Sequence, residues 1–253
     1  MPRYFIQLSY NGAAYNGWQV QQNTPHTVQQ VLQDKLGMIL GEPLDITGCG
    51  RTDTGVHAKD FFAHVDLVQT LSHENFPQLV YKFNQVLPAD IAIKAIYAVK
   101  EDASSRFAAM NRTYHYLLHN YKDPFIQDAS YFYYGTLDFD LMNRAATHLM
   151  EVRDFTSFSK VNTQTHTNNC KVLMAQWVQF DEGRWVFIIT ADRFLRNMVR
   201  AIVGTLLEVG RGKLNIDEFK HIIENKNRSD AGMSAPAHAL YLARISYPED
   251  IFL

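Results

Sequence analysis

The sequence predicts an α+β protein made of two tandem split-βαβ, ferredoxin-like domains, each a mostly antiparallel sheet flanked by helices. Three observations carry this. From Tyr4 to Tyr97, period-two alternation and helical spacing succeed one another in the order β-α-β-β-α-β. The remainder gives β-α-β-β-α-α-β. No low-complexity linker parts the halves, so the join falls between Val99 and Arg112. Domains are therefore expected over residues 1–105 and 106–253, closely packed.

The elements follow in order. Tyr4, Ile6, Leu8 and Tyr10 alternate with Phe5, Gln7 and Ser9, which is a strand ended by Asn11-Gly12. Thr27 with Gln30 spells a capping box before Val28, Val31, Leu32, Leu36 and Ile39 at helical spacing. Strands are expected near Leu44 to Thr47 and Ala58 to Leu67. Asn75 is placed to cap a helix through Leu87, with Pro77 in its first turn and Pro88 ending it. Ile91, Ile93, Ala95 and Tyr97 alternate again.

In the second half, Thr113 to His119 reads as a strand, and Asp138 or Asp140 as the cap of a helix through Met150. Val172–Phe180 and Trp185–Thr190 flank the hairpin signal Asp181-Glu182-Gly183. An apolar stripe from Phe194 to Leu207 reads as one helix, with Gly210 where a C-cap would fall. A helix over Ile216 to Asn225 and a strand over Leu240 to Tyr247 complete the chain.

Composition sets limits. With 47% apolar and 20% charged residues the chain is an ordinary globular one, rich in rings that can fill a core or stack on bases. A net charge of −2 does not mark a nucleic-acid binder. Yet Arg193, Arg196, Arg200, Arg211 and Lys213 face one anion, Glu208, within a single segment, which is either a binding face or a solvated helix face. Cys49 and Cys170 make no disulfide framework. The opening residues lack an apolar signal core, and no eighteen apolar residues run together, so a cytoplasmic protein without a membrane span is expected.

The segment Gly48-Cys49-Gly50-Arg51-Thr52-Asp53-Thr54-Gly55-Val56-His57-Ala58 carries the chemistry. Its glycines suit a tight loop or a close backbone approach. A plain Asp-x-Gly turn is the bland alternative. Asp53-Thr54-Gly55 is also the aspartic-protease triplet, but that chemistry needs a second carboxylate and an apolar approach strand, and Arg51-Thr52 is neither. Cys49, His57 and His64 lack a second ligand pair at zinc spacing.

The loop closely resembles the G-R-T-D-A-G-V-H-A signature of the tRNA pseudouridine synthase A family, with Thr54 in place of Ala. Further ordered segments extend the resemblance over nearly the whole chain. Tyr10-Asn11-Gly12, Tyr15-Asn16-Gly17-Trp18-Gln19 and Thr27-Val28-Gln29 are similar to the family's opening. Arg106-Phe107, Arg112-Thr113-Tyr114-His115-Tyr116 and Asp154-Phe155-Thr156-Ser157-Phe158 are similar to its middle, and Phe194–Gly210 with Ala235-Pro236-Ala237 and Leu240-Tyr241-Leu242 to its close. Ser104-Ser105 and Ala239 depart from the usual His-Ala and Gly.

The resemblance implies the pseudouridine synthase fold, with an active-site cleft between the domains, and conversion of uridine to pseudouridine at positions 38, 39 and 40 of the tRNA anticodon stem-loop. The N1–C1′ bond breaks, the base turns, and it rejoins through C5, with no cofactor and no metal. It implies that Asp53 is the essential carboxylate, as nucleophile or base, and that Arg200 is the cation keeping it ionised. It further implies that Tyr114 stacks on the uracil, with Leu240 or Leu242 as the apolar wall. Arg51 props the gap left by base flipping, and Arg106, Arg112 and Arg196 grip phosphates. Arg196, Arg200 and Gly204, four apart, would share one helix face. A homodimer is implied as well. The rival is a non-catalytic tandem RNA-binding or chaperone module, since RRM-like domains share this topology; the R-G-F-x-F-type strand of such domains is not found.

Overall fold

The computed structural model describes residues 1–160 and 166–253. It is a mixed α/β protein with mainly antiparallel strands, dividing into two compact units: Met1–Met110 with Leu242–Leu253, and Asn111–Tyr241. Among the described residues no helix is long and apolar enough to cross a membrane.

The first unit contains β1 (Arg3–Tyr10), α1 (Val28–Leu40), β2 (Thr47–Gly48), β3 (His57–Asp66), α2 (Phe76–Val86) and β4 (Ile91–Val99). β1 runs antiparallel to both β3 and β4, so Phe5 stands opposite His64 on one side and Tyr97 on the other. Paired residues share a sheet face. Phe5, Phe62 and Tyr97 thus lie together, and Tyr247 and Phe252 pack edge-on against them at ring separations of 5.1 to 6.2 Å. Strand β9 (Leu240–Ser246) follows β3 in the sheet order. The segment after it returns to β4, with Leu253 N donating to Ala98 O at 3.0 Å.

Three local expectations in this unit need correction. Thr27 Oγ1 accepts from Gln30 N, but the Gln30 amide donates to Asp34 instead of closing the box. Asn75 is helical in backbone and makes no cap bond, because a 3₁₀ turn over His73–Asn75 already leads into α2. The strand expected from Leu44 shrinks to Thr47–Gly48: the Gln29 side chain donates to Ile46 O at 2.7 Å and occupies the carbonyl a ladder would use.

The second unit contains β5 (Asn111–His119), β6 (Tyr131–Phe132), α3 (Phe139–Thr147), β7 (Val172–Asp181), β8 (Arg184–Ala191), α4 (Met198–Gly210) and α5 (Ile216–Glu224). β8 lies between β5 and β7, antiparallel to both, and Gly183 at φ +67° turns the β7–β8 hairpin. Asp138, not Asp140, caps α3 by accepting from Leu141 N at 2.8 Å. A full capping box between Asn215 and Glu218 starts α5.

The α4 region differs most from the sequence expectation. The stripe from Phe194 predicted a helix there, but α4 starts at Met198 because Asn197 sits at φ +66°. Arg196 is therefore off the helix and does not share a face with Arg200. At the other end Gly210 is still helical, and Gly212 takes the left-handed position. All residues of α4 except Arg200 and Glu208 are buried, so this is a core helix, not a solvated basic face. Glu208 also engages two of the segment's cations, Arg211 at 2.8 Å and Lys213 at 3.4 Å.

Candidate active site

In the first unit the Asp53 loop is built from backbone. Its entry is fixed by Cys49 N donating to Phe62 O at 2.8 Å, and Gly48 leaves room for Trp18: a Cβ there would lie 2.5 Å from the indole. The residues flanking Asp53 are held by the segment after β1. Trp18 N donates to Thr52 O at 3.3 Å, Gly55 N to Tyr15 O at 3.3 Å, and Gly12 N to His57 Nδ1 at 3.0 Å. Tyr10 Oη and Thr52 Oγ1 lie 2.9 Å apart.

Two glycines permit this closeness. A Cβ on Gly12 would lie 2.0 Å from Val56 O, and one on Gly17 2.4 Å from Thr52 O. Val56 N donates to Asp53 O at 3.1 Å, closing the turn in which Gly55 adopts φ +79°. Thr52 and Val56 are buried, Asp53 half-buried, and Arg51 exposed. A carboxylate thus stands at the rim of a loop whose walls cannot shift without breaking backbone contacts. That is the preorganisation acid–base or nucleophilic catalysis needs. The role of the Tyr10–Gln19 motifs as braces was not readable from the sequence. Arg106 lies in the same unit, exposed, with its guanidinium 5.1 Å from the Phe107 ring centre.

The second unit holds Tyr114, Arg112, Arg196, Arg200 and Leu240. Tyr114 is on β5, half-buried, its ring edge-on to Phe194 at 4.9 Å. Two residues on, Tyr116 is fully buried, and among the described residues its hydroxyl has no hydrogen-bond partner. Burial raises the Tyr116 pKa well above that of an ordinary phenol, the Tyr131 hydroxyl adds to this, and the Arg200 charge opposes it. Arg200 lies in the same unit, on α4. Its Nε donates to Ala235 O at 2.7 Å, while Ala235 N donates to Arg200 O at 2.9 Å.

Gly204 admits the partner that its place in a helix interior suggested. A Cβ there would lie 1.7 Å from Met233 O. Leu240 is buried at the start of β9. Arg112 Nη1 donates to Asp192 O at 2.8 Å, and Arg196 O accepts from Lys160 N at 3.1 Å. Arg228, which the sequence did not single out, donates to Ala231 O, Gly232 O and Ser234 Oγ. Only its position ahead of the closing motif could have marked it.

The first unit thus carries a carboxylate braced in a glycine-rich loop, and the second an arginine held by backbone bonds on a buried helix. Residues 145–248 match the sequence profile of a family described as tRNA pseudouridine synthase. The chain is 52% identical over 254 residues to the tRNA pseudouridine synthase A of Porphyromonas gingivalis, covering 100% of both chains. It is 51% identical to that of Parabacteroides distasonis, covering 100% of this chain and 98% of the relative. Against that of Bacteroides fragilis it is 49% identical over 99% of this chain and 98% of the relative. The chain belongs to the tRNA pseudouridine synthase family.

Proposed function

We propose that the chain is an isomerase that converts uridine to pseudouridine in tRNA, at positions 38, 39 and 40 of the anticodon stem-loop, without metal or cofactor. The observation that carries this reading is the Asp53 loop, locked by the Gly12 and Gly17 contacts in a chain about half identical to its relatives. Asp53 is the carboxylate that attacks or deprotonates the nucleoside, and Arg200 is the cation that acts with it. Tyr114 stacks on the target base, with the buried Leu240 beneath. Arg51, exposed two residues before Asp53, props the gap left by the flipped nucleotide. Arg106, Arg112 and Arg196 contact the RNA backbone, which suits recognition by shape.

The same reading takes the fold as two tandem split-βαβ domains, supported by the order β1-α1-β2-β3-α2-β4 in the first unit, and the working protein as a cytoplasmic homodimer. Tritium release from tRNA labelled at uridine C5 tests the activity, comparing the unaltered chain with Asp53→Asn. Release by the unaltered chain alone supports both reaction and residue. Release by both moves the chemistry off Asp53. Release by neither, with tRNA still bound, favours the binding-module reading.

A further inference from the structure

We propose that Arg228 is a positioning residue for Arg200, acting through a strap formed by residues 228–235. The inference rests on the reading of Arg200 above and extends it to a side chain some way off in sequence.

The strap lies across the first turns of α4 and is tied there by several contacts. Gly232 N donates to Thr205 Oγ1 at 2.9 Å, and Thr205 Oγ1 in turn donates to Ala201 O at 2.8 Å. Asn197, the left-handed residue before α4, donates from Nδ2 to Ser234 Oγ at 2.6 Å. Two glycines let the backbones touch: a Cβ on Gly232 would lie 2.9 Å from Gly204 C and O, and one on Gly204 would strike Met233 O. The strap ends on the two-bond exchange between Ala235 and Arg200.

Arg228 organises this strap from within. Its Nη1 donates to Ala231 O at 3.3 Å and Gly232 O at 3.2 Å, and its Nη2 to Ser234 Oγ at 2.9 Å. One planar guanidinium thus fixes three successive points of the chain that delivers the Ala235 carbonyl to Arg200 Nε. A lysine cannot reproduce that fork. A second set of bonds aims Arg228 itself: Asp230 accepts from both Asn225 and Asn227, folding the turn before the strap. Arg200 needs such help. Apart from Glu208 it is the one residue of α4 that is not buried, so packing alone does not select its rotamer.

The test is a double-mutant cycle with Arg228→Gln and Arg200→Lys, singly and together, with Arg228→Lys alongside. Single-turnover tritium release at saturating tRNA, the Kd for tRNA and the Tm are read for each. Arg228→Gln should slow single turnover about tenfold to a hundredfold, the loss expected from a misplacement of about 1 Å. The Kd should stay unchanged, and Arg228→Lys should fall between. In the Arg200→Lys background Arg228→Gln should cost nothing further. Equal losses in both backgrounds overturn the proposal while leaving Arg200 in the site. A weakened Kd with an unchanged rate overturns it too, making Arg228 an RNA contact. A wild-type rate for Arg200→Lys removes Arg200 from the active site, so the functional reading fails there and the positioning role with it. Should Arg228→Gln not fold, Thr205→Val loosens the same strap at Gly232, and the same cycle decides.

Discussion

Replacing Gly204 by Ala sets two effects against each other. In an exposed helix interior the change stabilises by about 1 kcal/mol, because Ala gives up less backbone entropy. Here the new Cβ would lie 1.7 Å from Met233 O. An ordinary carbon–oxygen contact is about 3.3 Å or longer, so the strap must withdraw by about 1.5 Å. That movement breaks the Gly232–Thr205 bond and both Ala235–Arg200 bonds. A neutral bond contributes about 1 kcal/mol and one to a guanidinium about 2 kcal/mol, so their loss outweighs the propensity gain by about 3 kcal/mol. For a chain of this size the melting temperature should fall by about 6 to 12 °C. Scanning calorimetry reads this directly. Single-turnover rates should fall as well, since Arg200 is released. A rise in melting temperature would mean that propensity wins and that the strap yields without cost, refuting the argument.

Gly12→Ala drives a Cβ to 2.0 Å from Val56 O; turnover should drop on the order of 100-fold with tRNA binding kept, as gel-shift and tritium assays would show. Tyr116→Phe removes a buried hydroxyl without a partner among the described residues; the melting temperature should rise by about 2 to 4 °C, the value of about 1 kcal/mol, and a fall would reveal a partner for that hydroxyl. Burial, then the Arg3 charge, lowers the His64 pKa below its ordinary 6.5. The unfolded chain therefore takes up that proton first as pH falls, so the stability contributed is complete above about pH 6.5 and is lost as pH drops through the lowered folded value. His64→Gln should flatten the decline in urea midpoint below pH 6.5, and an unchanged slope would assign that decline to other groups.

What could be read from the sequence was what neighbouring residues decide among themselves. The alternation in β1 and β4, the Thr27 cap and the start of α5 all rest on contacts within a few positions. What escaped depends on partners far along the chain. Nothing in the unbroken apolar spacing from Phe194 marks a helix start at Met198, because the conformation of Asn197 is tied to Ser234, thirty-seven residues on. The strand expected at Leu44 gave way to a side chain from α1. Asp53 stood out by its glycine-rich setting, yet the braces that immobilise it come from Tyr10 to Trp18, whose motifs named a family without stating a task. The Ser105 departure is likewise explained only in three dimensions: its N donates to His64 Nδ1 at 3.2 Å, and its Oγ to Thr47 O at 3.0 Å.

The return of residues 242–253 to the first unit has a consequence for synthesis. The segment that carries Asp53 leaves the ribosome early, but the strand that lies beside β3, and the Phe252 and Tyr247 rings that cover its aromatic face, are translated after the whole second unit. Domains tend to fold in the order in which they emerge. This one must wait, its sheet edge open and Phe5 and Phe62 uncovered, until the last residues arrive. Such non-local closure is slow and exposes an unpaired strand edge. The cell therefore carries a nascent chain vulnerable to aggregation for most of its translation, and premature termination anywhere in the second unit leaves the Asp53 loop on an unfinished sheet.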